Sequence, residues 1–260
     1  MDPIPRIVGH RSAENTSRNN VRCRLSITAE LLRIAGGSAY LLEKSPACQS
    51  CPGSRTGFGK KKEISERLKA WRVAIEAGDL VVLYVDECHL CWDDARGYVW
   101  GPVNERISIN MTNFRLRQTY YGAIEQCQGD VTIHPATSGN GEATVAFIEI
   151  LRQRYQDKRL VIIWDGASYH KGAEMVEYLQ QANSGLEPDQ WPITCLLFAP
   201  NAPEQNPMED IWLKGKQFVR KNWFICDTFR KVKDLFAQGI QDARFLFEKL
   251  FMYAPFLEII

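Results

Sequence analysis

The sequence predicts an α/β fold built on a mixed five-stranded sheet flanked by helices, and three observations carry that prediction. Two uninterrupted apolar runs, Leu80–Val85 (LVVLYV) and Leu160–Trp164 (LVIIW), each stop at an aspartate, as strands buried on both faces do. Between them, Gln118–Ile124 and Val131–His134 alternate across a turn carrying Gly129 and Asp130, the pattern of an antiparallel hairpin. A helix-period segment from Glu142 to Arg154 then separates the hairpin from the second run. The second run is therefore expected to lie parallel to an earlier strand after a right-handed crossover.

Taken in order, residues 1–57 read as a poorly structured basic arm, or as the remnant of a DNA-binding domain. Their apolar cluster is cut by Gly36 and Gly37, and two amphipathic helices joined by a short turn cannot be placed in it. Residues 58–78 follow as a linker helix with Ile64, Leu68, Trp71 and Ile75 on one face, ended by Gly78. Residues 79–224 hold the sheet. Its first strand stops at Asp86 and Glu87, its fourth at Asp165 and Gly166, and Ile193–Phe198 is the fifth. Ser168 is expected to cap a helix whose apolar positions are Met175, Val176 and Leu179. After the fifth strand, Asn206 and Pro207 read as the cap and first turn of a helix that places Glu209, Trp212, Leu213, Lys216 and Arg220 on one face. Residues 225–260 read as a helical carboxyl-terminal tail of one or two amphipathic helices through Phe229, Val232, Leu235, Phe236 and Ile240, then Phe245 and Leu250.

Composition narrows the function classes. A chain of 260 residues, 45% hydrophobic, buries one substantial core. No apolar run reaches the length of a membrane span, and the opening MDPIPRIVGHRSAE lacks a signal peptide's apolar segment, so a soluble cytoplasmic protein is expected. Net charge is +1, but residues 1–78 carry +7 and the remainder −6. A basic arm beside an acidic domain suggests a polyanion for the first and cations for the second; a solvated basic tail is the plainer reading of the arm. Cys48 with Cys51 and Cys88 with Cys91 have metal-like spacing, yet the second pair continues a strand, with His89 pointing to the opposite face. Reduced, packed cysteines are the better reading.

Two strand-end carboxylates, Asp86 and Asp165, and one that opens a helix, Glu209, make a set of hard oxygen donors suited to Mg²⁺ or Mn²⁺. Adjacent carboxylates repel, and a divalent cation resolves the conflict. Two such ions would serve in-line attack on a phosphodiester. Taken alone, Glu209 is also explained by the helix dipole.

VDE at Val85–Glu87, WDGASYHK at Trp164–Lys171 and APNAPEQNPMEDIWLKGK at Ala199–Lys216 resemble the three signature blocks of mariner-type DDE transposases, specifically their bacterial insertion-sequence branch. The resemblance spans about residues 58–223 and is most distinctive in the last block. It implies a ribonuclease-H-like fold, with Asp86, Asp165 and Glu209 as the triad that binds metal. It also implies cleavage and joining of double-stranded DNA at the element's terminal repeats, without a covalent enzyme intermediate, by a homodimer. Two departures stand out: a longer gap between Asp165 and Glu209, and no recognisable paired helix-turn-helix in residues 1–57. A stand-alone ribonuclease-H-like nuclease and an inactive DNA-binding remnant are the alternatives.

Supporting roles are expected for three residues. His170 either touches the scissile phosphate or orients a ligand, or else is a helix-start histidine bonded to backbone. Glu87 is expected to face away from Asp86, and Asn206 to act as a cap. Lys171, Lys214, Lys216 and Arg220 are the candidate DNA contacts, while Trp212 reads as core.

Overall fold

A computed structural model describes residues 55–95, 115–200 and 202–257; the basic arm and the Cys48/Cys51 pair lie outside the described residues. Two helices, α1 (Arg55–Ala70) and α2 (Arg72–Glu76), lead into the sheet. They bury Ile64, Leu68 and Ile75, and Gly78 closes the segment at a φ of 72°, a conformation glycine adopts without strain.

The elements that follow are β1 (Leu80–Cys91), β2 (Arg117–Glu125), β3 (Val131–Ala136), α3 (Gly141–Arg154), β4 (Arg159–Trp164), α4 (Ala173–Ala182), β5 (Ile193–Leu197), α5 (Pro207–Lys221) and α6 (Phe229–Ile240). The strands form one five-stranded sheet in the order β3-β2-β1-β4-β5. The hairpin pairs antiparallel with β1, while β4 and β5 run parallel to it. The mixed sheet and its crossover are those the apolar runs predict.

Side chains alternate along β1 and divide the core into two layers. Val82, Tyr84, Cys88 and Leu90 pack with Met208, Ile211 and Trp212 of α5 and with Val232, Phe236 and Ile240 of α6. Leu83 and Val85 face the other way, onto Phe147, Ile148 and Leu151 of α3 and Met175 of α4. Each such fully buried side chain contributes about 1.5–3 kcal/mol. The chain beyond α6 closes the first layer: the buried Tyr84 hydroxyl donates to the Leu250 carbonyl (3.0 Å), and Gln126 Nε2 donates to the same carbonyl (3.0 Å).

Two expectations are corrected. The first strand does not stop at Val85: β1 continues through Asp86 to Cys91, because β2 pairs with it along that whole length, from Leu83↔Glu125 to Cys91↔Arg117. Ser168 does not cap a helix; residues Ser168–Lys171 form a 3₁₀ turn, and α4 starts at Ala173 behind Gly172. Among the apolar positions of these helices Met175 and Trp212 are buried, whereas Val176 and Leu213 are 45% and 48% exposed. Of the one or two helices expected in the tail the described residues form one, α6, followed by irregular chain with a 3₁₀ turn at Glu248–Phe251. Its apolar residues are used up in covering the sheet, not in making a second helical stripe.

Candidate active site

Asp86 and Asp165 are brought level by the parallel pairing of β1 and β4. The ladder runs from Leu80↔Arg159 to Tyr84↔Ile163, so each aspartate stands two residues past the last paired position. β4 ends there and β1 does not. Glu209 comes from the first turn of α5, where Asn206 accepts a hydrogen bond from the Met208 N–H (3.0 Å) and Pro207 opens the helix. All three carboxylates line one cleft of about 440 Å³, floored by Gly166, Phe198 and Ala199 and bordered by Pro200, Pro203 and Asn206. The site thus sits at the carboxyl ends of parallel strands, where such sheets place their ligands.

The two aspartates have different electrostatic environments. Burial, with the negative charges of Glu209 and Glu87 nearby, pushes Asp86 up to about 8. The Trp212 indole Nε1–H opposes this by donating to Asp86 Oδ2 (3.0 Å). Asp165 is 57% exposed at its side chain, and the hydrogen bond from His170 outweighs desolvation and holds its carboxyl below the usual range. Asp165 Oδ1 accepts from His170 Nδ1 (3.1 Å) and from the Ala167 N–H (3.0 Å).

His170 does not face the cleft. Its side chain is 1% exposed, stacked on Trp164 with ring centroids 4.1 Å apart and planes within 3°. Its Nε2 meets Glu87 Oε1 at 3.0 Å, while Nδ1 meets Asp165. Both ring nitrogens therefore face carboxylate oxygens, an arrangement that favours the doubly protonated ring. Burial acts to lower the ring's pKa, but the bonds to Asp165 and Glu87 overcome it and raise it to about 9. Tyr169 donates to the other oxygen of Glu87 (3.1 Å). Glu87 therefore faces the α3 layer, opposite Asp86, as strand alternation requires, and the histidine is held away from any phosphate in the cleft. Nδ1 also lies 3.2 Å from the Asp165 backbone carbonyl, so the geometry joins the backbone bond of the plainer reading to the orienting of a carboxylate, and it does not bring the ring to a phosphate.

The candidate DNA contacts are distributed unevenly. Lys171 Nζ lies beside Gly166 on the lip of the cleft, 3.6 Å from where a Cβ at that glycine would stand. Lys216 and Arg220 are drawn instead to Asp94 in the 3₁₀ turn after β1, at 3.3 and 3.8 Å. Lys214 stands over the Phe245 ring at 5.6 Å. The Trp212 bond and the Asp94 clamp went unread in the sequence; only the placement of Trp212 one turn after Glu209 hints at the first. Cys88 is a buried, free thiol, pushed up by burial to about 12, which fits a packed residue better than a zinc thiolate.

The chain belongs to the DDE superfamily endonuclease family, whose model matches residues 81–231. No curated protein matches the sequence. Among solved structures the chain is similar to a pre-cleavage Mos1 transpososome, at 11% identity and a TM-score of 0.50, covering 84% of this chain and 63% of that one. It thus spans under two thirds of that protein's length. That likeness supports the ribonuclease-H-like fold. The chain is also similar to the Mos1 transposase catalytic domain solved with raltegravir and Mg (12% identity, TM-score 0.45, covering 76% and 87%). A third similarity is to the HTLV-2 integrase catalytic core in complex with magnesium (10% identity, TM-score 0.40, covering 61% and 81%).

Proposed function

We propose that this chain is the catalytic part of a DNA transposase of the bacterial insertion-sequence branch, cleaving double-stranded DNA at terminal repeats and joining the freed strand to a target. The observation that carries the reading is the meeting of Asp86, Asp165 and Glu209, from three separate elements, in one cleft. Membership of an endonuclease family fits it. The similarity in fold to a pre-cleavage Mos1 transpososome is consistent with it.

The donor set suits Mg²⁺ or Mn²⁺. Three carboxylates, no thiolate and an aspartate pushed toward neutrality by burial and then by the neighbouring carboxylates make a site in want of positive charge. Among the described residues no group of three or more His, Cys, Asp or Glu is gathered tightly enough to enclose an ion. Glu209, on the opening turn of α5, is the ligand that would complete the set with Asp86 and Asp165, and two ions are the expected complement. A divalent cation bound there supplies Lewis acidity for in-line attack at phosphorus.

The chain's own residues orient that chemistry. His170 and the Ala167 N–H fix one oxygen of Asp165, and Glu87 and Tyr169 fix His170 in turn. Phe198, Pro200 and Pro203 give the cleft apolar walls that limit water around the reacting phosphate. Lys171 at the lip is placed for a phosphate contact. Water is the first nucleophile and the liberated 3′-hydroxyl the second. A homodimer acting on paired ends, in the cytoplasm, completes the reading; among the described residues no helix is long and apolar enough to cross a membrane.

The test is a cleavage and strand-transfer assay on the DNA flanking the coding sequence, with Mg²⁺ or Mn²⁺, comparing wild type with Asp165→Ala. Metal-dependent cutting and joining that disappears in the variant is the expected result. Folded wild-type protein that neither cuts nor joins under any of these conditions refutes the reading.

A further inference from the structure

Asp86 is the one candidate ligand in a strand interior, and its carboxylate could rotate about two side-chain torsions. What stops it is not on its own strand. In the antiparallel ladder Asp86 lies directly opposite Gly122 of β2, so both positions project to the same face of the sheet. Glycine in the interior of a buried strand weakens it and marks a place where something must come close. Here that neighbour is Trp212. A Cβ built on Gly122 would stand 2.3 Å from Cη2 of Trp212 and 2.6 Å from both Cζ2 of the same ring and Cε of Met208. The Met208 methyl could swing aside; the indole could not, since it is 4% exposed and stacked on Phe236 at 6.0 Å. The indole thus occupies the slot that Gly122 leaves open, and its Nε1–H reaches Asp86 Oδ2 at 3.0 Å.

We infer that Trp212 is a positioning residue for Asp86, and that Gly122 is the glycine that admits it. Resting on the metal-dependent reading above, the arrangement has a geometric purpose. Glu209 and Trp212 are three residues apart on α5 and share a face of that helix. The turn that presents Glu209 to the cleft is therefore the turn that grips Asp86. One rigid helix sets both the orientation of the strand carboxylate and its offset from the helix carboxylate. A donor on a carboxylate ligand also fixes which oxygen is left to face the ion, and outer partners of this kind are worth about 10–100-fold in metal affinity.

The experiment measures Mn²⁺ binding to the whole chain by electron paramagnetic resonance, with melting temperature in EDTA as the control for folding. Three changes are compared with wild type: Trp212→Phe; site-specific replacement of Trp212 by 3-benzothienylalanine, which keeps the bicyclic shape and loses only the N–H; and Gly122→Ala, which displaces the ring without altering it. The expected result is an Mn²⁺ affinity lowered about tenfold or more by the benzothienyl replacement while its EDTA melting temperature stays near wild type. Trp212→Phe and Gly122→Ala should weaken binding in the same direction, with some loss of stability. An unchanged affinity in the benzothienyl protein overturns the role of the N–H, even where Asp86→Asn abolishes binding and so upholds the metal site itself. Wild-type protein that binds no Mn²⁺ overturns both.

Discussion

Replacing Asp86 by asparagine should stabilise the chain in the absence of metal, although it removes a proposed ligand. Asp86 titrates at about 8 against an ordinary 3.8, so between those values the folded state holds a proton that the unfolded state has lost. Stability contributed by this group is therefore full near pH 4 and falls as pH rises toward 8. At pH 7 the burden is about 4 kcal/mol, from about three pH units at about 1.4 kcal/mol each. Relaxation of the cleft and entry of water would leave about 2–4 kcal/mol. Asparagine keeps an acceptor for the Trp212 N–H and carries no charge for Glu209 and Glu87 to repel. The assay is urea unfolding in EDTA at several pH values from 4.5 to 8.5, repeated with Mn²⁺. Wild type should lose stability across the range relative to the variant, and the two should converge at the acid end. His170 also titrates high, its contribution being lost as pH rises through about 9, but it is common to both proteins and cancels in the difference. Mn²⁺ should reverse the order by stabilising wild type alone. A variant no more stable than wild type at pH 7 in EDTA would refute the argument that Asp86 is electrostatically strained.

Other consequences can be checked alongside. His170→Ala leaves Glu87, 9% exposed at its side chain, without its cation, and should cost about 3–5 kcal/mol by urea unfolding. The double change with Glu87→Gln should cost less than the sum of the singles; additive losses would mean the pair is not coupled. Asn206→Ala removes the cap of α5 and should lower stability by about 1 kcal/mol, with a larger proportional loss of cleavage because Glu209 stands in that first turn. Asp94→Asn should release Lys216 and Arg220, tightening duplex binding and steepening its salt dependence. Fluorescence anisotropy with labelled duplex at two salt concentrations tests this, and an unchanged slope would remove both residues from the DNA-contacting surface.

The sequence by itself determined the succession of strands and helices in the catalytic layer and where β4 ends and α5 begins. Uninterrupted apolar runs reaching Asp86 and Asp165 report burial on both faces, and the run before Asp165 also ends its strand; those are local properties. Asn206 and Pro207 likewise announce the start of α5, because capping is a matter of a few adjacent residues. The resemblance carried by the three motif blocks led to the family. Tertiary structure alone decided what each side chain touches. Whether β1 stopped at Asp86 depended on β2, a partner some thirty residues away along the chain. His170 could be read as a phosphate contact, as an orienting group or as a helix-start histidine bonded to backbone, and only the stack on Trp164 and the bonds to Glu87 and to Asp165 separate these roles. Lys216 and Arg220 look like any basic helix face until Asp94 meets them. Gly122 gives no local signal at all, since the space it provides belongs to a side chain ninety residues on, and a period of two or of 3.6 records which face is buried but not what fills it.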